Sequence, residues 1–249
     1  CYEPELIDMD IEKNNTPAST ITLSDGTELR VYPDSDHTLY ALANGTDLLL
    51  ENHPQTPENT MAVGKKNIDH LEENAKAAVL AYYEERGRLY DIMEELEKAS
   101  AIYQQSQNKE NFSMMRIEQN VYPTAANDRL IFFQTSLHLP LAEKTFTERN
   151  LCEVFDRKTG AYIPIEDLFI CPLEELGSQL LALAHLSDAD RADMEAAFRR
   201  EYIFFTEDSL CIDFPAGSLT NYKEQYIVPL KYTSDLRGLM HDWAIPKEG

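Results

Sequence analysis

The chain has 249 residues, enough to bury a substantial hydrophobic core as one large unit or as two packed ones. It carries 44 acidic and 22 basic residues, a net charge of -22 at pH 7, so its surface repels nucleic-acid phosphates and anionic lipids. No apolar run approaches the roughly 18 residues that a membrane-spanning helix needs. The composition therefore argues against nucleic-acid binding and favours positively charged partners, although acidity that merely keeps a domain soluble explains it equally well.

The first residue, Cys1, suggests a lipid anchor. Signal-peptidase cleavage of a bacterial lipoprotein leaves a cysteine at this position, and acyl chains on it would hold the protein outside the membrane. Tyr2 is not the small residue common after such a cysteine, so the alternative that the cysteine stands there by coincidence stays open. A membrane is a predicted partner only through this anchor.

Residues 1–65 are predicted to hold a polar tail followed by a small β region. The turn sequence Ser24-Asp25-Gly26-Thr27 separates two predicted strands at 20–23 and 28–32. Two more strands are expected at 38–42 and 48–50, before a loop that contains two prolines.

One long helix is predicted over residues 67–105, with two helices joined near Gly87 as the alternative. Leu71, Ala75 and Val79 begin an apolar stripe with the three- and four-residue spacing of a helix face. Arg86 falls into this stripe, which weakens a coiled-coil interpretation. The helix is therefore expected to pack across a sheet.

Hairpins dominate the second half of the chain. In the first one, Asp156 can bond to the backbone ahead of it and Gly160 can take the positive φ of a tight turn. Before this hairpin, we expect strands at 114–121 and 128–138. After it, we expect helices at 171–185 and 187–200 and then a second hairpin at 203–214. The predicted elements end with a strand at 225–230 and a short helix at 233–240.

Strands and helices are thus grouped rather than strictly alternating. This grouping favours an α+β fold, with an antiparallel β-sheet packed by one long helix and two or three shorter helices. Residues 66–249 are predicted to form the main domain, packed with residues 1–65 as one unit.

The order of these elements and their sequence motifs resemble those of the PdaC/RsiV-like extracytoplasmic domain. In other proteins that domain sits beside a peptidoglycan deacetylase or forms the outer, lysozyme-sensing part of a membrane anti-sigma factor. The resemblance covers about residues 67–240. It rests on four segments: Phe155-Asp156-x-x-Thr159-Gly160, Ile165-x-Asp167-Leu168-Phe169, Phe204-Phe205-Thr206-x-Asp208-x-Leu210-x-Ile212-x-Phe214 and Tyr226-Ile227-Val228-Pro229-Leu230.

Two segments depart from this family pattern. Members often carry Gly-Gly-Ala-His before the first hairpin, where this chain has residues 136–141, and a glycine before the last strand, where it has residues 221–225. The resemblance implies an envelope location and a non-catalytic binding or sensing role, by analogy.

Fragments of catalytic motifs carry little weight. Ser106-x-x-Lys109 and Lys158-Thr159-Gly160 match two elements of penicillin-recognising enzymes, but the third element is missing. The six histidines show no metal-ligand spacing, and neighbouring glutamates point about 100 degrees apart on a helix. No catalytic residue, cofactor or metal site is predicted. Cys152, Cys171 and Cys211 are expected to be small structural side chains, with a disulfide among them left open.

Tyrosine, with thirteen residues, offers the remaining candidate site. Tyr222, Tyr226 and Tyr232 near the end of the chain could form an aromatic patch that stacks on glycan rings or anchors a protein. We therefore expect an extracytoplasmic, non-enzymatic domain, in the cell envelope or secreted, that binds or senses a cationic protein or peptidoglycan. A cell-wall hydrolase whose carboxylates converge only in the fold, and a purely structural interaction module, are the alternatives.

Overall fold

Eight strands form the larger of two sheets in the computed structural model, which describes residues 16–59, 62–142 and 145–246. The strands follow chain order across the sheet, and each neighbouring pair is antiparallel except β4 and β5, which are parallel. Cys1 and the predicted tail lie outside the described residues. The strands are β1 Ser19–Thr22, β2 Glu28–Pro33, β3 His37–Leu42, β4 Asp47–Asn52, β5 Met115–Ala126, β6 Leu130–Ala142, β7 Thr145–Asp156 and β8 Tyr162–Ile163.

A second, three-stranded sheet and five α-helices are the other main elements of the described part of the chain, which also has short 3₁₀ turns. The second sheet has the order β11-β10-β9, formed by β9 Ile203–Phe205, β10 Ser209–Phe214 and β11 Tyr226–Lys231. None of the helices in the described ranges is long and apolar enough to cross a bilayer. They are α1 Glu73–Arg86, α2 Ile92–Gln105, α3 Leu173–Ala182, α4 Asp188–Ala197 and α5 Ser234–Arg237.

The predicted α+β fold of one antiparallel sheet packed by one long helix and two or three shorter helices is wrong. The chain forms a large curled sheet with one parallel pair, a separate second sheet and short helices. The long helix is in fact α1 and α2. It breaks at Gly87, whose φ of 58° and ψ of -140° lie outside the helical region and suit only glycine.

Strand β6 is buried on both faces, which explains its unbroken apolar run. Leu130 and Phe132 belong to the core beneath the second sheet and helices α3 and α4. Ile131 and Phe133 point the other way and pack under α1. A strand covered on both sides needs apolar residues at consecutive positions rather than at alternate ones.

Helices α1 and α2 cover one face of the large sheet, each over its own hydrophobic cluster. Ala75, Val79 and Tyr83 of α1 pack with residues of β5, β6 and β7. Leu96 and Ala99 of α2 pack with residues of β2 to β5. The sheet face beneath the two helices therefore carries two separate apolar clusters. The joint between the helices, residues 87–91, lies between these clusters.

The hairpin predicted after Phe155 is confirmed. The Oδ1 atom of Asp156 accepts hydrogen bonds from the backbone N–H groups of Lys158 and Thr159, both at 2.9 Å. Gly160 takes a φ of 71°, and a Cβ atom there would lie only 2.7 Å from the Cβ of Ala78. The turn thus needs glycine both for its backbone angle and for its contact with α1.

Several other local predictions are confirmed as well. Ser187 caps α4 by accepting a hydrogen bond from the N–H of Asp190, and the second hairpin forms between β9 and β10. The strand predicted at residues 114–121 extends further than expected. Strand β5 runs through Pro123 to Ala126, with a bulge between Pro123 and Ala125 that accommodates the proline.

Candidate functional site

A row of buried polar side chains crosses the large sheet beneath the joint between α1 and α2. Its members come from four adjacent strands, β4, β5, β6 and β7, and none is more than 4% exposed. Because the row lies on the face covered by the two helices, it divides the apolar clusters under α1 and α2. We call it the polar row: Glu51, Gln119, Thr135 and Glu153.

Glu153 is paired with Arg86, the last residue of α1. Their Nη1 and Oε1 atoms are 2.5 Å apart, and the hydroxyl of Thr135 donates to the same oxygen. The guanidinium of Arg86 also lies 4.7 Å from the centre of the Tyr83 ring. Burial raises the pKa of Glu153 above its ordinary value, while the charge of Arg86 opposes this shift.

Glu51, at the other end of the polar row, is fully buried and has three partners. The Nε atom of Arg88 lies 2.9 Å from its Oε1, and the hydroxyl of Tyr90 donates to the same oxygen over 2.8 Å. The hydroxyl of Tyr40 donates to Oε2 over 2.9 Å. Burial, with Glu51 adding to it, raises the pKa of both tyrosines. The two arginines that flank Gly87 are thus each bound to a buried carboxylate.

Gln119 holds the joint itself. Its Nε2 donates to the carbonyl of Gly87 over 2.8 Å, and its Oε1 accepts from the N–H of Leu89 over 2.8 Å. The broken helix leaves these backbone groups without helical partners, and a buried amide satisfies both of them. The break is therefore fixed by a side chain from β5 as well as by the glycine.

An open cleft of 790 Å³ lies over this joint, and we call it the joint cleft. The loop after β4 forms one wall, the end of α1 forms the other, and Gln119 lies at the joint. Its lining mixes four charged residues with apolar and amide groups: Pro54, Gln55, Thr56, Glu58, Leu80, Tyr83, Glu84, Arg86, Gly87, Arg88 and Gln119.

Three buried polar atoms at this site lack a well-aligned hydrogen-bond partner among the residues that the structure describes. They are the hydroxyl of Tyr83, Nε of Arg86 and Oε2 of Glu153. Native interiors leave few such groups unpaired. The Tyr83 hydroxyl and the Glu153 carboxylate interact with each other, and none of the three atoms is exposed to the joint cleft.

The three tyrosines predicted as a patch are placed differently from one another. The rings of Tyr222 and Tyr226 lie 4.4 Å apart at 41°, beside Asp190 of α4. Tyr232 donates its hydroxyl to the carbonyl of Thr206 over 2.9 Å and lines a separate cleft of 530 Å³. Within the described ranges, no ring contact joins Tyr232 to the other two.

The cysteines in the described part of the chain are free, so no disulfide joins Cys152, Cys171 and Cys211. Burial raises the pKa of Cys211 to about 11 and that of Cys152 further. Neither is a thiolate at neutral pH, as expected for structural side chains. The predicted lipid-attachment residue, Cys1, lies outside the described residues.

The fragments that match penicillin-recognising enzymes have local structural roles. Ser106 is the C-cap residue that follows α2, and Lys109 begins a short 3₁₀ turn. Thr159 donates its hydroxyl to Asp156 within the hairpin turn. His138, on β6, lies 3.0 Å from the hydroxyl of Ser136. In the described ranges, no group of three or more His, Cys, Asp or Glu side chains could hold a metal ion.

The alternative of two helices joined near Gly87 is confirmed, but the buried partners of the joint were not predicted. Their signal was a charged residue inside an apolar pattern: Glu51 follows three leucines, and Arg86 falls into the apolar stripe of the helix. Glu153 likewise stands between Cys152 and Val154 in a buried strand. Buried charges are usually paired, so such positions predict partners without identifying them.

Comparisons with known proteins add little to this description. No family model and no curated protein matches the chain. Among solved structures, a DUF3298 family protein from Pseudomonas aeruginosa PAO1 is similar, at 14% identity and a TM-score of 0.40 over 93% of this chain and 98% of that one. A TM-score below 0.5 carries no argument about family or function. The resemblance to the PdaC/RsiV-like domain therefore stays a prediction.

Proposed function

We propose that this chain is an extracytoplasmic, envelope-associated and non-enzymatic domain that binds or senses a basic protein or a cell-wall ligand. The observation that carries the proposal is the surplus of acid, 44 acidic against 22 basic residues. Many of the basic side chains in the described ranges are already paired, as Lys66 is with Glu207 and Arg200 with Glu166. The unpaired surface acids give a field that attracts cations and speeds their encounter.

Binding is better supported than hydrolysis. The buried carboxylates Glu51 and Glu153 each bind an arginine, so neither of these two is free to act on a substrate. Burial raises the pKa of Cys152 and Cys211, which removes them as nucleophiles at neutral pH. These groups serve the packing of the fold.

The pair of Tyr222 and Tyr226 is the best candidate contact for a cationic partner. Their rings lie beside Asp190, whose charge adds to partial burial in raising the pKa of Tyr222. A lysine or arginine side chain is attracted both by an aromatic face and by a carboxylate. The same rings could stack on a glycan.

A sedimentation and pull-down assay with the purified chain tests this function. We expect binding to hen lysozyme, a basic protein, or to insoluble peptidoglycan at low ionic strength, and release at high ionic strength. Tyr222→Ala/Tyr226→Ala is expected to weaken it, while Tyr162→Ala, an exposed tyrosine on another strand, should not. Absence of binding to both ligands would exclude the binding function, and a cytosolic location of the native protein would exclude the envelope role.

A further inference from the structure

The separate cleft of 530 Å³ that Tyr232 lines lies beside helix α5, and we call it the α5 cleft. Three parts of the fold supply most of its lining: the turn between β9 and β10, the end of β11 with the residues after it, and α5. A volume of this size falls in the range of about 300 to 1,000 Å³ that is usual for small-molecule sites. The lining residues are Glu207, Asp208, Lys231, Tyr232, Thr233, Arg237 and Pro246.

Arg237 brings a positive charge without a counter-charge to this cleft. Its Nε atom donates to the carbonyl of Tyr232 over 3.0 Å, which restrains the direction of the guanidinium group. Within the residues that the structure describes, no carboxylate forms an ion pair with it. Its outer nitrogens are therefore left to water or to a ligand, and a guanidinium presents such donors in the geometry of a carboxylate.

Asp208 brings the opposite charge. Its Oδ2 atom lies 3.9 Å from Nζ of Lys231, which is beyond hydrogen-bonding distance, and the two side chains are 65% and 69% exposed. Glu207, the other acid of the lining, is already bound to Lys66 at 2.8 Å. Asp208 is therefore the carboxylate of this lining that can accept a further cationic group.

Asp208 and Arg237 act on the same part of the α5 cleft. Burial raises the pKa of Tyr232, the charge of Asp208 adds to this rise, and the charge of Arg237 opposes it. The Tyr232 hydroxyl itself is bound to the carbonyl of Thr206. Both charges thus lie near one hydroxyl, yet in the described part of the chain they form no ion pair with each other.

The balance of charge in the lining disfavours a simple ion. Two acidic and two basic side chains line the cleft, so their charges cancel. A lone anion would be repelled by the two acids, and a lone cation by Lys231 and Arg237. A ligand with a positive and a negative end meets an opposite charge at each end. The chemistry therefore points to a molecule that carries both a carboxylate and an ammonium group.

We propose that the α5 cleft binds a small zwitterion, a free amino acid or a short peptide, whose carboxylate contacts Arg237 and whose ammonium group contacts Asp208. The inference goes beyond the proposed function, because it concerns a small ligand and a surface other than the pair of Tyr222 and Tyr226. Each further residue of an extended peptide separates the two charges by about 3.5 Å more, so the cleft should select a length. Exposed ion pairs are weak, so an affinity of about 1 mM is expected.

Titration of the full chain with alanine, dialanine and trialanine, followed by NMR, tests this site and separates the amino acid from the peptides. At least one of the three should shift the signals of residues that line the α5 cleft. Acetylation of its amino group or amidation of its carboxylate should weaken binding about tenfold, because each removes one of the two charges. Arg237→Gln and Asp208→Asn should each weaken binding by a similar factor.

Arg30→Gln and Glu28→Gln are the matched controls, because both residues are exposed, lie on β2 of the other sheet and do not line the cleft. They should bind the zwitterion as the unchanged chain does. No binding of any of the three ligands, equal affinities for the zwitterion and its acetylated and amidated forms, or equal affinities of Arg237→Gln and Arg30→Gln would overturn the proposal. Salt-sensitive binding of lysozyme that survives such a result would leave the proposed function standing and remove only this site.

Discussion

Gly160 lies so close to the backbone of Ala75 that no side chain fits between them. The hairpin after β7 therefore rests directly on α1, and the contact ties the large sheet to the first helix of the crossover between β4 and β5. Because Gly160 also has a φ of 71°, the position excludes other residues for two independent reasons.

Gly160→Ala is expected to destabilise the protein by about 3 kcal/mol or more, since α1 or the turn must move. Gly26→Ala is the control, because Gly26 has a similar φ of 85° but open space around it. It should cost only about 1 to 2 kcal/mol. Urea denaturation of the two variants measures the difference, and equal losses would show that the contact with Ala75 is unimportant.

The local features of the fold follow from the sequence to a large extent. The hairpin was predictable because the Asp156 side chain can accept hydrogen bonds from the backbone of a turn and Gly160 can take a positive φ. The start of α4 was predictable because Ser187 precedes an acidic first turn. In both cases, residues within one turn of each other decide the structure.

The buried pair of Arg86 and Glu153 should matter for stability. Arg86→Met leaves Glu153 buried without its counter-charge, which should cost about 3 kcal/mol. Arg86→Met/Glu153→Leu removes both charges and should recover most of that loss. Lys231→Met, which breaks an exposed pair with Asp208, should change stability by less than about 1 kcal/mol. Denaturant unfolding checks all three, and a double variant no better than Arg86→Met would contradict the pairing.

Stability should also depend on pH through Glu153. Burial raises its pKa above the ordinary 4.5, so folding takes up a proton between the two values. The contribution of neutral Glu153 to the free energy of unfolding is complete below pH 4.5. It is lost as the pH rises through the raised pKa of the folded state. Because the charge of Arg86 opposes the rise, the pKa of Glu153 should be higher still in Arg86→Met. The stability of this variant should therefore go on falling to a higher pH than that of the unchanged chain.

Unfolding free energies measured from about pH 4 to about pH 8 test this dependence. Arg86→Met/Glu153→Gln has no carboxyl at this position and should lack the slope. If the unchanged chain and this double variant respond to pH in the same way, Glu153 does not titrate as described.

Gln119 is expected to hold the joint in place. Gln119→Ala removes the partners of the Gly87 carbonyl and the Leu89 N–H, which should cost about 2 kcal/mol. Amide hydrogen exchange should increase at the joint and at the adjacent ends of α1 and α2. Gln134→Ala, another buried glutamine of the same sheet but on its opposite face, should leave exchange at the joint unchanged.

The joint near Gly87 was predicted only as an alternative, and the polar row beneath it was not predicted. The apolar stripe continues across Gly87, so local spacing favours an unbroken helix, and Gln119 acts from 32 residues away along the chain. Each residue of the polar row comes from a different strand. Only the order of the strands brings Glu51 and Glu153 beneath one pair of helices, and that order depends on the parallel contact between β4 and β5.

The dependence of lysozyme binding on salt tests the central claim most directly. The affinity of the purified chain should be measured by calorimetry at several ionic strengths. The acidic surface predicts measurable binding at low salt and an affinity that falls steadily as salt is added. No binding at low salt, or an affinity that does not change with salt, would contradict a domain that recognises a basic partner through its surplus of acid.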